Sequence, residues 1–163
     1  MQGFNKISAV ILLVEDNEGD ARLVIEALKG GNIKIDLHHV RDGVEAIQFL
    51  NREGRFKDAS RPDIILLDLN MPRMDGRELL EKIRTQDNLS SIPVIVLTTS
   101  RSEADIAQSY QLQANCYIPK PVDFNTFTEV MHRIKQFWFN VVSLPRTDPT
   151  IEMSVNRSSH FLA

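Results

Sequence analysis

Residues 62–76 read Pro-Asp-Ile-Ile-Leu-Leu-Asp-Leu-Asn-Met-Pro-Arg-Met-Asp-Gly. Ile64 to Leu67 are four consecutive branched aliphatic residues with no polar alternation. The run is too short for a buried helix and fits a strand covered on both faces, as in the middle of a parallel sheet. It stops at a carboxylate, Asp68. Pro72 and Gly76 then mark a turn into a helix whose apolar side carries Leu79, Leu80 and Ile83.

Working outward, the same unit repeats. Upstream, Ala9 to Val14 is another apolar run, followed by a helical stretch from Asn17 to Lys29 with Ala21, Val24, Ile25 and Leu28 on one face. Gly30-Gly31 supplies its stop. Ile33, Ile35 and Leu37 alternate with polar residues, as on a strand with one wet face. Asp42 can cap a second helix with Ala46, Ile47 and Leu50 inward. Residues 51–62 are polar and basic and read as a loop, with Arg52, Arg55, Lys57 and Arg61 solvated. Downstream come a strand at Pro93 to Leu97, a sparsely apolar helix near Glu103 to Leu112, and a short strand at Cys116 to Ile118. Asp123 can cap a last helix bearing Phe124, Phe127, Met131, Ile134 and Trp138 on one face. Strand and helix alternate five times, which predicts an α/β domain: a doubly wound five-stranded parallel sheet with helices on both faces.

Composition bounds the function. The chain has 163 residues, 42% hydrophobic and 25% charged, with a formal net charge of -3. No excess of cations points to nucleic acid or to an anionic membrane surface. The single cysteine, Cys116, allows no intrachain disulfide and fits a reducing compartment. The first apolar run is too short for a membrane span and lacks a signal-peptide layout, so a cytoplasmic protein is expected. The expected organisation is an N-terminal extension over 1–6, one domain over 7–139, and a tail over 140–163 without an effector domain of its own.

In an open parallel sheet, ligands bind where strands end. Strand one ends in Glu15-Asp16, strand three in Asp68, strand four in Thr98-Thr99-Ser100, and strand five leads to Lys120-Pro121. Crowded carboxylates repel, and a divalent cation relieves that conflict. Mg²⁺ prefers oxygen ligands and takes one or two carboxylates from a protein. Asp16 and Asp68 suit direct coordination, Glu15 can act through a water, and the turn after Asp68 can add the Asn70 backbone carbonyl. With Lys120 and Thr98 placed for the remaining phosphoryl oxygens, Asp68 is set to be a nucleophile in aspartyl-phosphate chemistry.

These residues carry a resemblance. Glu15-Asp16-Asn17, the Asp68 segment LLDLNMPRMDG, Thr98, Tyr117 and Lys120-Pro121 together resemble the receiver domains of bacterial response regulators, over roughly Ile7 to Phe139. The resemblance implies a flavodoxin-like strand order 2-1-3-4-5 and phosphorylation of Asp68 by a sensor histidine kinase. It also implies that Glu15 and Asp16 are the acidic Mg²⁺ pair, Thr98 the switch hydroxyl, Tyr117 the switch aromatic and Lys120 the phosphate-sensing cation. Asn70 and Ser100 match positions that influence phosphoryl loss, and the Lys120-Pro121 bond is expected to be cis. Pro119, directly before Lys120, departs from many receivers. SRPDIILLDLNMPRMDGREL, SYQLQANCYIPK and the FWF-x4-LP ending are similar to single-domain regulators that partner phytochromes. That similarity implies a phytochrome-type kinase, an output through protein contacts or onward phosphotransfer, and a homodimer interface extended by Phe137 to Leu144.

Rival readings differ at named residues. A flavodoxin-like electron carrier needs a hydroxyl- and glycine-rich loop after strand one, where this chain has Glu15-Asp16-Asn17-Glu18. An aspartyl phosphatase needs a second Asp two residues after the nucleophile, where this chain has Asn70. A phosphorylation-independent docking module would not need the intact acidic and basic set. His38 and His39 are adjacent on a strand and face opposite ways, which disfavours a shared metal.

Overall fold

The computed structural model describes residues 7–145. Five strands, β1 (Ile7–Val14), β2 (Ile33–Val40), β3 (Ile64–Leu67), β4 (Val94–Thr98) and β5 (Cys116–Pro119), form one parallel sheet in the order β2-β1-β3-β4-β5. The helices between and after them are α1 (Glu18–Ala27), α2 (Gly43–Leu50), α3 (Gly76–Thr85), α4 (Glu103–Gln111) and α5 (Phe124–Gln136). The doubly wound topology and strand order expected from the sequence are both present.

The strands' two-residue period divides the core into two layers. Leu12, Val14, Ile65, Leu67, Val94 and Val96 face α2 and α3, where Phe49, Leu79, Leu80 and Ile83 meet them. Ile11, Leu13, Ile64, Leu66, Ile95 and Leu97 face the opposite way, toward Val24 of α1 and Phe127, Met131 and Ile134 of α5. All four residues of β3 are fully buried, as their unbroken aliphatic run requires. Each contributes about 1.5–3 kcal/mol relative to an exposed side chain. β2, at the sheet edge, is buried mainly at its two ends, Ile33 and Val40.

The helix starts follow local chemistry. Asn17, Asp42, Asp75, Ser102 and Asp123 each accept a backbone N–H with the side chain. Such a cap stabilises a helix by about 1 kcal/mol. After α1, Gly30 and Gly31 take left-handed φ values of 83° and 76° and turn the chain into β2.

Three local expectations are corrected. The stretch 51–62 contains one 3₁₀ turn, Gly54–Phe56, because Phe56 packs edge-on against Phe49 at 5.4 Å between centroids. Arg61 is not merely solvated: it donates to the Asn88 carbonyl and, at 3.0 Å, to Ser91 Oγ. The apolar face of α5 begins at Phe127, since Phe124 points outward and is 61% exposed. Beyond α5 a π-helical turn, Phe137–Val141, carries the chain onward, burying Phe139 and bringing Trp138 and Leu144 against the core. The extension 1–6 and the tail beyond 145 lie outside the described residues.

Candidate functional site

Parallel strands deliver their following residues to one edge. Val14 pairs with Leu67, Leu67 with Val96, and Thr98 with Pro119, so the ends of β1, β3, β4 and β5 lie side by side. The ladder continues one residue further: Asp68 N–H donates to the Val14 carbonyl and Glu15 N–H to the Val40 carbonyl, each at 3.0 Å. That fixes the backbone under both carboxylates.

Glu15, Asp16 and Asp68 each place one carboxylate oxygen within 4.8 Å of the others. Glu15 and Asp68 are buried, whereas Asp16 is exposed. The Lys120 ammonium, buried among them, lies 2.6 Å from Glu15 Oε2, 2.9 Å from Asp20 Oδ2 and 3.4 Å from Asp68 Oδ2. Asp20 was not marked by the sequence. An acid in a first helical turn serves the helix dipole in many helices, so residue type and position alone do not single it out.

Charge at this edge is unbalanced: three carboxylates contact one ammonium, and a fourth, that of Asp16, lies beside Glu15 and Asp68. Burial pushes the Glu15 carboxyl up to about 7, and the Asp68 charge adds to the rise against the opposing bond from Lys120. For Lys120, burial favours the neutral amine, but the bonds to Glu15 and Asp20 and the charges of Asp68 and Glu15 outweigh it and hold the pKa above its ordinary value. The cluster is made of oxygen donors with one open, exposed member. It fits a hard divalent cation, which would remove the deficit that keeps Glu15 prone to protonation.

The remaining expected residues are placed as follows. Asn70, two residues past Asp68, is exposed, and its N–H donates to Asp68 Oδ1 at 3.5 Å. Thr98 is fully buried at the end of β4, its hydroxyl accepting the Ser100 N–H at 3.5 Å. Tyr117 is half-buried and turned inward against the core, donating its hydroxyl to the Ser100 carbonyl at 2.8 Å. Ser100 Oγ donates to Asp105 at 2.6 Å, and Arg77 of α3 donates to the same carboxylate at 2.5 Å. The loop after β4 is thereby tied to both α3 and α4. Neither Arg77 nor Asp105 was marked by the sequence, because no short motif links positions 28 residues apart.

The Lys120-Pro121 bond is trans, since no described peptide bond is cis; this corrects the expected cis bond. Trans is favoured for X-Pro by about 0.5–1 kcal/mol, and Lys120 reaches the carboxylates without leaving it. His39 binds the Glu15 carbonyl at 2.7 Å while His38 stacks near Phe49, so the two histidines serve different neighbours.

The model of the response regulator receiver domain matches residues 11–132. Response regulator Rcp1 of Synechocystis sp. is 46% identical over 136 residues, covering 83% of this chain and 92% of Rcp1. The crystal structure of the phosphorylated cyanobacterial phytochrome response regulator RcpA superimposes with a TM-score of 0.83 at 45% identity, over 85% of this chain and 99% of that one. The Mn²⁺-bound form of Rcp1 gives a TM-score of 0.81 at 45% identity over the same shares.

Proposed function

The chain belongs to the response regulator receiver domain family, and from that premise we propose that Asp68 accepts a phosphoryl group from the phosphohistidine of a sensor kinase. It is a signalling receiver rather than a classical enzyme. The observation that carries the reading is the buried Asp68 carboxylate facing the Lys120 ammonium at 3.4 Å, with Glu15 and Asp16 alongside.

In the proposed step, an Asp68 carboxylate oxygen forms a bond to phosphorus as the bond from phosphorus to the kinase histidine nitrogen breaks. Lys120 offsets the negative charge of one phosphoryl oxygen. Thr98, at the end of β4, offers its hydroxyl proton to a second oxygen, while the Ser100 N–H uses only a lone pair of that hydroxyl and can stay bound. A Mg²⁺ ion held by Asp16 and Asp68, with Glu15 and the Asn70 backbone carbonyl contributing, would supply further charge neutralisation when bound. Slow loss of the phosphoryl group to water would reset the domain, with Asn70 and Ser100 near the route.

The proposed output is a change of surface. Thr98 and Tyr117 both contact Ser100. Movement of Thr98 therefore pulls on the loop that also anchors Tyr117 and, through Asp105, α4. Two packings of that loop would present two faces to a partner protein or an onward phosphotransfer protein. The kinase is proposed to be of phytochrome type, which the likeness to Rcp1 and RcpA supports. A cytoplasmic setting accords with that role.

A homodimer is proposed through the surface after α5. Phe137 and Val141 are 51% and 72% exposed there, an apolar pair that a second copy would cover. Sedimentation showing only monomer at micromolar concentration, phosphorylated or not, would contradict the dimer without touching Asp68.

Phosphotransfer from a panel of purified sensor kinases, phytochrome kinases included, tests the partner. Fast transfer from a phytochrome kinase with slow transfer from the others is the expected result. Preferential transfer from an unrelated kinase would remove the phytochrome assignment.

A further inference from the structure

We propose that Asp20 is a positioning residue for the Asp68 reaction: it competes with Asp68 for the Lys120 ammonium and sets where that cation rests before phosphoryl transfer. The inference rests on the reading of Asp68 as the phosphoacceptor.

An ammonium has three N–H donors. Glu15, Asp20 and Asp68 are its three partners, and Asp20 at 2.9 Å holds a nearer place than Asp68 at 3.4 Å. The phosphoacceptor is thus the most loosely held of the three.

The ordinary duties of an acid at this helix position do not account for the contact. As the third residue of α1, Asp20 could reach back to the N–H of the cap residue Asn17. That N–H already donates to Glu15 Oε1 at 3.1 Å. Asp20's own N–H is fixed by Asn17 Oδ1 at 2.9 Å, and its side chain instead crosses to a lysine 100 positions away. Glu18, in the same turn, pairs with Arg41 and not with Lys120.

Exposure explains why this partner is the releasable one. The Asp20 side chain is 35% exposed, against 3% for Glu15 and 9% for Asp68. A carboxylate that can turn to water gives up an ion pair at small cost, whereas Glu15 would be left charged and dry. When negative charge accumulates on Asp68, Lys120 can leave Asp20 while keeping Glu15. Asp20 therefore acts as a counterweight that draws the cation back when the phosphoryl group is lost.

Two readouts test this on the full chain. In metal-free protein, the ¹⁵N–¹H signal of the Lys120 ammonium should be slow to exchange in the wild type. It should exchange faster in Asp20→Asn, recover in Asp20→Glu, and be unmoved in Glu18→Gln, which removes the same charge from the same turn. With Mg²⁺ present, the phosphoryl mimic beryllofluoride should bind Asp20→Asn about three- to tenfold more tightly than wild type, since no rival carboxylate holds the lysine back. An unaltered ammonium signal, or equal beryllofluoride affinity in wild type and Asp20→Asn, overturns the inference and leaves the Asp68 reading standing. Equal tightening in Glu18→Gln also overturns it, by showing a general charge effect. A wild type that binds no beryllofluoride overturns the Asp68 reading and this inference with it.

Discussion

Lys120 Nζ lies 2.6 Å from Glu15 Oε2, and this contact is what lets a buried glutamate stand beside Asp68. The pair is a structural support as well as part of the site. Lys120→Met should therefore destabilise the metal-free domain by about 3 kcal/mol, because the clustered carboxylates lose the buried ammonium that offsets them and one must take up a proton. Urea unfolding without divalent ions measures this. Added Mg²⁺ should restore part of the loss; equal stability of variant and wild type would show that the ion pair carries no net weight.

A pH effect follows from Glu15. Its carboxyl is raised from 4.5 to about 7, so between those values the folded state binds more protons than the unfolded state. Stability from this group is then complete below the lower value and declines as pH rises toward the upper one. Metal-free unfolding should show that decline from about pH 5 to about pH 7, and Glu15→Gln should flatten it. Saturating Mg²⁺ should weaken it in the wild type. A wild-type profile as flat as that of Glu15→Gln would refute the assignment.

Gly76 carries a steric prediction. A Cβ there would meet the Asp68 carbonyl oxygen at 2.3 Å and the Leu69 Cα at 2.8 Å, and both are backbone atoms that cannot yield cheaply. Gly76→Ala should cost about 2–3 kcal/mol and push the Asp68–Leu69 backbone out of place. Thermal unfolding reads the first effect, and divalent-ion titration the second. An alanine variant with wild-type stability would mean that α3 can shift freely.

The sequence made the strands legible because burial on both faces removes polar residues, as at Ile64 to Leu67 and Val94 to Leu97. The caps at Asp42 and Asp123 were legible because the donors they satisfy are local. Glu15, Asp16, Asp68 and Lys120 stood out as polar residues at the ends of apolar runs. What stayed hidden depends on side chains that cross between elements. Asp20 reaches Lys120, Arg77 reaches Asp105, and Arg84 reaches the Gln113 carbonyl and Asn115 Oδ1. Each partner is an ordinary surface-type residue in its own segment, and only the packed fold brings it to its mate. The trans Lys120-Pro121 bond was likewise outside the reach of residue identity, since both isomers of X-Pro are low in energy.

The most direct test of the central claim is chemical. Wild-type protein and Asp68→Asn are incubated with acetyl phosphate and Mg²⁺, and the acid-stable, base-labile acyl phosphate is located by mass spectrometry. The account predicts one phosphoryl group per wild-type chain, on Asp68, and none on the variant. Labelling of Asp68→Asn at the wild-type level, or a wild type that takes no label, would contradict it.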